Sequence, residues 1–205
     1  MTVSTTSPRV VARQAATRER IVEAAWAVAD ELGLEGLSLR EIAARVGMRA
    51  PSLYSYFPHK ASILDALFAA GYEALDEVLA EVIHDLPTDA DAREQVARPM
   101  RAWVAFCQAS PARYRLMFTS AVPGWTPSPE AYAVSVRSFG RMTAALAGVG
   151  VTDPAAVDLV TAVGAGLAAQ QMANDPTGDR WSRLTDDAVA MLLAHLLDPS
   201  RPEVP

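Results

Sequence analysis

At three points where an amphipathic run begins, a capping side chain stands directly before a proline: Ser110-Pro111, Ser128-Pro129 and Asp153-Pro154. A Ser or Asp oxygen accepts from the free amides of a first helical turn, and proline, which has no amide to satisfy, suits the first helical position. Each pair therefore starts a helix. The residues around them repeat with the 3.6-residue period of amphipathic helices, and no stretch alternates with the period of two that a half-buried strand requires. The chain is expected to be all-α.

The first helix is predicted from about Thr17 to Leu32, with Ile21, Val22, Ala25, Trp26, Val28, Ala29 and Leu32 inward, and Gly33 ends it. The stretch LSLREIAARVG opens a short second helix, with Ser38 and Glu41 in capping-box spacing, and Gly47 closes it. A third runs from Ala50 to Phe57 and stops before Pro58. A long fourth spans Lys60 to Asp85, and five more are expected at about 91–109, 111–120, 129–148, 154–174 and 181–197. The division expected is a disordered arm (1–14), a helix-turn-helix module (15–61), a larger helical body (62–198) and a tail (199–205).

No apolar run approaches the roughly 20 residues of a membrane-spanning helix, and the N-terminal stretch lacks the apolar centre of a signal peptide. No membrane association is expected. One cysteine, Cys107, excludes an intrachain disulfide framework and fits a reducing, cytoplasmic setting, where it reads as a small buried hydrophobe. The formal net charge is −6, but residues 1–60 carry eight Arg or Lys against six acids, leaving ten against eighteen for the rest. A basic front end on an acidic body fits a module that meets phosphate at one end only. Lys60 is the single lysine among 18 strong bases.

Two short helices joined across a glycine turn and packed on a longer first helix describe a helix-turn-helix unit. On the helix from Ala50, Leu53 and Phe57 are four apart and face inward. Pro51, Ser52, Ser55 and Tyr56 project elsewhere, with Tyr54 at the margin. Seryl and phenolic hydroxyls reach phosphate oxygens, and small residues let a backbone approach base edges. His59 and Lys60 open the next helix. A lysine there opposes the helix dipole, which suggests an outside anion.

The segment SLREIAARVGMRAPSLYSYFPHKASIL resembles the DNA-binding segment of the tetracycline-repressor (TetR) family of bacterial regulators, and the likeness extends back through TRERIVEAA, covering about residues 17–64. The resemblance implies a three-helix DNA-binding domain on a larger helical ligand-binding and dimerisation domain, acting as a repressor that a ligand releases. It implies that Arg40, Ala50, Pro51, Ser52 and Ser55 face bases, and that Ser38, Tyr54, Tyr56 and Lys60 face phosphate. Ala50 stands where several members carry a longer polar side chain, so the base reading is expected to shift to Arg40, Arg49 and apolar thymine-methyl contacts, while His59 is expected at the DNA beside Lys60. In the body, FCQASPARYRLMF looks like the sixth helix of a subset of the family marked by Trp-His-Gly in the eighth. Here TAVGAGLAAQQM has Gly166 but neither the Trp nor the His.

No catalytic constellation stands out. His59, His84 and His195 lack the spacing of a metal site, and no cofactor is implied. Trp103, Phe106, Tyr114, Met117, Phe118, Trp125 and Tyr132, with Gln170, Gln171 and Met172, are the candidate lining of an apolar ligand pocket oriented by amides. The last two helices are apolar nearly all round: Leu184, Ala188, Met191, Leu192 and His195 form one stripe, extended by Val189, Leu193 and Leu196. A second copy of the chain is the natural cover for the second face. Gly164, Ala165, Gly166, Ala168 and Ala169 would let a partner helix approach. The expected protein is a homodimeric, cytoplasmic regulator that binds a palindromic double-stranded DNA operator and responds to a small-molecule effector. The rival reading is a helical small-molecule-binding protein or enzyme whose front module binds a protein.

Overall fold

The computed structural model describes residues 7–198 and Ser200. Among them lie nine α-helices and no strand: α1 (Pro8–Gly36), α2 (Leu39–Arg45), α3 (Ala50–Tyr54), α4 (Lys60–His84), α5 (Ala92–Ala109), α6 (Pro111–Phe118), α7 (Pro129–Gly148), α8 (Pro154–Asn174) and α9 (Thr185–Leu196). The three Ser/Asp-Pro starts form as expected. Ser110 Oγ accepts from the Arg113 amide at 3.1 Å, Ser128 Oγ from Ala131 at 3.3 Å, and an Asp153 carboxylate oxygen from Ala155 at 3.0 Å.

Four boundaries differ, each for a local reason. The arm expected through residue 14 is helical from Pro8, its side chains exposed; residues 1–6 lie outside the described residues, as does most of the expected tail. Gly33 breaks α1 with φ of 74°, as expected of glycine, but one further turn continues to Gly36. It is Leu34 beyond the break that is buried, while Leu32, expected inward, is exposed. α3 stops at Tyr54, and the amides of Tyr56 and Phe57 both fold back on the Leu53 carbonyl at 2.9 Å. A short 3-10 turn, Ser182–Leu184, precedes α9.

The expected capping box at α2 forms by half, through Ser38 Oγ and the Glu41 amide at 3.1 Å. The complete box stands at α4. His59 Nδ1 accepts from the Ser62 amide at 3.1 Å, and the His59 amide points back to Ser62 Oγ at 3.4 Å.

Three apolar clusters hold the helices together. The first joins α1, α2 and α3 to the start of α4 (Ile63, Leu64, Leu67) and to Leu116 of α6. The second joins α5 (Val96, Ala97, Met100), the end of α7, α8 and α9. A small third cluster, Leu75, Phe106 and Met117, sits where α4, α5 and α6 meet. Gly71 lets α6 lie against α4, since a Cβ there would come within 2.6 Å of Met117 Sδ. Cys107 is buried as expected, and burial pushes its thiol up to about 12 from 9.0. At pH 8 the folded protein should therefore react with a thiol reagent about a thousandfold more slowly than the denatured chain. Absorbance-monitored labelling with and without denaturant checks this.

Candidate DNA-binding surface and effector cavity

Leu53 and Phe57, the inward pair of the recognition segment, are both fully buried, which fixes the outward face of α3. The Arg18 guanidinium lies 4.2 Å from the Phe57 ring centre and donates to the Tyr56 carbonyl at 2.6 Å, tying α1 to the end of that segment. Ser38, Arg40, Arg49, Pro51, Ser52, Tyr54, Ser55 and His59 are exposed, while Ala50, Tyr56 and Lys60 are half-buried. Tyr54 is 50% exposed. Arg40 and Arg49 have no ion pair among the described residues. Ser55 Oγ donates to the Ser52 carbonyl at 2.7 Å.

Two of the expected contacts have an inside partner. His59 caps α4, as described above. Lys60 Nζ donates to the Leu34 carbonyl at 3.3 Å, in the last turn of α1. A cation is favoured at that end of a helix dipole, so the odd placement of lysine at the start of α4 needs no outside anion. Its other two N–H donors stay available.

In the body, α4, α5, α6, α7 and α8 surround a cavity of about 1030 Å³. Of the candidate lining residues, Trp103, Tyr114, Met117, Phe118 and Trp125 meet there, with Tyr132 at its edge. Phe118 is the hub: Tyr72, Trp103 and Tyr114 rings lie 5.7, 5.3 and 5.7 Å from it. Phe68 contacts both Tyr72 (5.0 Å) and Trp125 (5.9 Å). Tyr72 donates to the Met117 carbonyl at 3.3 Å, and burial pushes its phenol up to about 12. Trp125 Nε1 donates to Asp65 Oδ1 at 3.1 Å, and the same oxygen accepts from the Ser128 amide at 3.1 Å, so the loop before α7 is fastened to α4.

The remaining candidates lie elsewhere. Phe106 is buried beside Leu75 and Met117, under the Arg113 guanidinium at 4.9 Å from its ring centre. Gln170 is exposed and accepts from Asn174 Nδ2 at 2.6 Å. Gln171 is fully buried, but its amide serves the loop after α8. Nε2 donates to the Asp175 carbonyl and to that of Gly178 (3.1 Å), and Oε1 accepts from the Trp181 (2.8 Å) and Ser182 (2.9 Å) amides. Neither glutamine lines the cavity, because the stripe of α8 that faces it runs through Val160, Thr161, Gly164 and Ala165.

The lining that residue type alone left unnamed comes from α4 and α7: Phe68, Asp76, Ser138, Phe139 and Arg141. Nothing in the sequence of α7 marked its polar residues.

α6 stands between cavity and DNA-binding module. One face carries Tyr114, Met117 and Phe118 into the cavity. The other grips α1: Ser110 Oγ donates to Asp30 at 2.6 Å, Arg115 pairs with Glu35 at 2.8 Å, and Arg113 lies 5.2 Å from the Trp26 ring centre. The buried Nε of Arg113 has no hydrogen-bond partner, so its cation is held chiefly by the faces of Trp26 and Phe106.

On α8 and α9 the two apolar faces separate. Val189 and Leu193 are buried, with Leu192 and Leu196 packed partly against the same core. Leu159, Leu184 and Met191 are exposed, Met191 by 71%. The small residues divide likewise. Gly164 and Ala168 are buried, and a Cβ on Gly164 would meet Met100 and Trp103 at 3.7 Å, whereas Gly166 opens onto free space.

A helix-turn-helix module fused through a shared helix to a helical body with a large apolar cavity is the build of a bacterial transcriptional regulator. Residues 21–67 match the bacterial regulatory proteins of the tetR family, and residues 96–198 match the tetracyclin repressor-like C-terminal domain. The chain belongs to the TetR family. It is similar to the HTH-type transcriptional regulator Rv1816 of Mycobacterium tuberculosis, 32% identical over 118 residues, which are 56% of this chain and 49% of that protein. The match thus spans about half the length of that relative.

Among solved structures, the regulatory protein SCO4313 superposes with a TM-score of 0.73 at 23% identity, covering 92% of this chain and 100% of its own. FadR of Bacillus subtilis, in complex with stearoyl-CoA, gives 0.65 at 18% identity over 86% and 98%. At these identities the likeness is one of fold. The relatives are regulators of transcription and not enzymes, and no helix among the described residues is long and apolar enough to cross a membrane.

Proposed function

We propose that the protein is a cytoplasmic repressor that binds a palindromic operator as a homodimer and is released by a largely apolar small molecule. The observation that carries this reading is the continuity between the two sites. α4 starts at the DNA-binding surface with Lys60 and lines the cavity with Tyr72, Leu75, Asp76 and Leu79. α6 touches cavity and α1 with opposite faces. A ligand that alters the packing of α4 and α6 therefore alters where the recognition segments of a dimer stand, and DNA accepts one spacing only.

Release requires differential affinity for the incompatible arrangement; about 10²-fold per dimer, or roughly 2.7 kcal/mol, opens most promoters. The family build and the tetracyclin repressor-like body favour repression over activation.

Gel retardation of operator fragments tests the DNA half. Binding should require a two-fold symmetric site with half-site centres about 34–36 Å apart, or a multiple of that. Lys60→Ala should weaken binding evenly across sequences and lower the salt slope by about one unit, whereas Arg40→Ala should relax preference at one position in each half-site. An unchanged slope for Lys60→Ala would leave that lysine with its Leu34 contact alone. The switch is tested by adding compounds that raise the melting temperature; stabilisation with no loss of retardation by any of them refutes release by ligand.

A further inference from the structure

The cavity contains three charged side chains, Asp76, Glu77 and Arg141, so its lining is one negative charge in excess. Asp76 is the deepest of them, with 15% of its side chain exposed. Ser138 Oγ donates to its Oδ1 at 2.8 Å, and Arg141 bonds its Oδ2. Arg141 itself is 64% exposed and reaches in from solvent. A carboxylate so far removed from water needs a cation beside it, but this arginine is one that water readily takes back. Glu77, one residue on, has no ion pair among the described residues. The rest of the lining is rich in aromatic rings, whose faces carry the negative end of a quadrupole and attract cations. The rim is apolar as well: Ile83, Val136 and Phe139 are exposed by 46%, 51% and 49%.

We propose that the effector is a lipophilic cation. Its charged nitrogen displaces the Arg141 guanidinium from Asp76, and its apolar part lies among the rings of Tyr72, Trp103 and Phe118. The proposal rests on reading the cavity as the effector site. An anion is disfavoured by two carboxylates, and it could draw on Arg141 only by leaving Asp76 unpaired in a mostly buried place. A neutral ligand would leave the Asp76–Arg141 pair as it stands and gain nothing from it.

The test uses the full chain and three matched probes below their micelle concentrations: dodecyltrimethylammonium, dodecanol and dodecanoate. Quenching of tryptophan emission reads binding, because Trp103 and Trp125 line the cavity. The ammonium should bind about tenfold tighter than the alcohol, and the carboxylate weakest. Asp76→Asn should bring the ammonium down to the level of the alcohol. Arg141→Gln removes the competitor while Ser138 still donates to Asp76, and should tighten the ammonium severalfold in a variant whose melting curve shows it folded. Tightest binding of dodecanoate, or weaker ammonium binding by Arg141→Gln, overturns the proposal in favour of an anionic effector. Equal binding of all three overturns the charge preference and leaves the apolar cavity standing. Absence of binding by any probe overturns both.

Discussion

Replacing Leu159 and Met191 together by glutamate should separate the proposed homodimer and lower operator affinity on the order of 10²–10⁴-fold, the gain that joining two half-site readers confers. These side chains are 41% and 71% exposed, so each sits on the outward side of its helix and its loss removes little from the protomer's own core. Two glutamates in an apolar face covered by a second copy would be buried without partners, at a cost of several kcal/mol per interface. Leu192 and Leu196 on α9 are the wrong places for this test. They pack against Val189, Leu193 and the α5 side of the second cluster, and charge there would unfold the protomer. Sedimentation equilibrium and gel retardation on the same samples decide the matter. A folded double variant that stays dimeric at micromolar concentration puts the two-fold axis elsewhere.

Gln171→Leu should lower the melting temperature on the order of 10 °C while leaving effector affinity where it was. Leucine fills similar volume but offers none of the amide's four backbone contacts, to Asp175, Gly178, Trp181 and Ser182. Each backbone group left unsatisfied costs about 1–3 kcal/mol. The outer part of the loop is exposed and water meets some of that need, so a total of about 3–5 kcal/mol is expected, with about 2–4 °C per kcal/mol for a chain of this size. The loop carries α8 into α9, so weakening it should also weaken a dimer that pairs through these helices. Calorimetry and the tryptophan-quenching titration check the two halves of the statement. A variant with an unchanged melting temperature and lost effector binding would place this amide in the cavity after all.

What could be read from the sequence was what local chemistry decides. Ser110, Ser128 and Asp153 fixed three helix starts because a cap and a following proline act within one turn. Leu53 and Phe57 were recognisable as the inward pair because a recognition segment has only one face to bury. Most aromatic lining residues were found because large rings gather wherever helices leave room. What was not foreseen lay where a side chain had a choice of partner. Gln170 and Gln171 look alike as neighbours on an apolar helix, yet a turn of 100° sends one to solvent and the other under a loop. His59 lies outside the usual capping residues, so its box with Ser62 was not foreseen. The inside partner of Lys60 was not foreseen, because nothing local shows that the end of α1, 26 residues earlier in the chain, comes within reach. Asp76 and Arg141 stayed unnamed for the same reason: 65 residues separate them, and only packing brings them together.

The way α4 divides itself between two cores bears on how such regulators can be recombined. Its first turns, Ile63, Leu64 and Leu67, complete the cluster beneath the recognition segment, and Leu116 of α6 closes the same cluster from the far side. A crossover placed between Phe57 and Lys60, where the chain looks divisible, would hand the DNA-reading front of one protein to a stranger's α4 and α6. The front would then inherit a floor shaped for different side chains. Chimaeras with new operator specificity should therefore be built by exchanging the outward residues of α2 and α3 alone, leaving the seam intact, and the same constraint would confine natural gene shuffling to ancestors that still shared that seam.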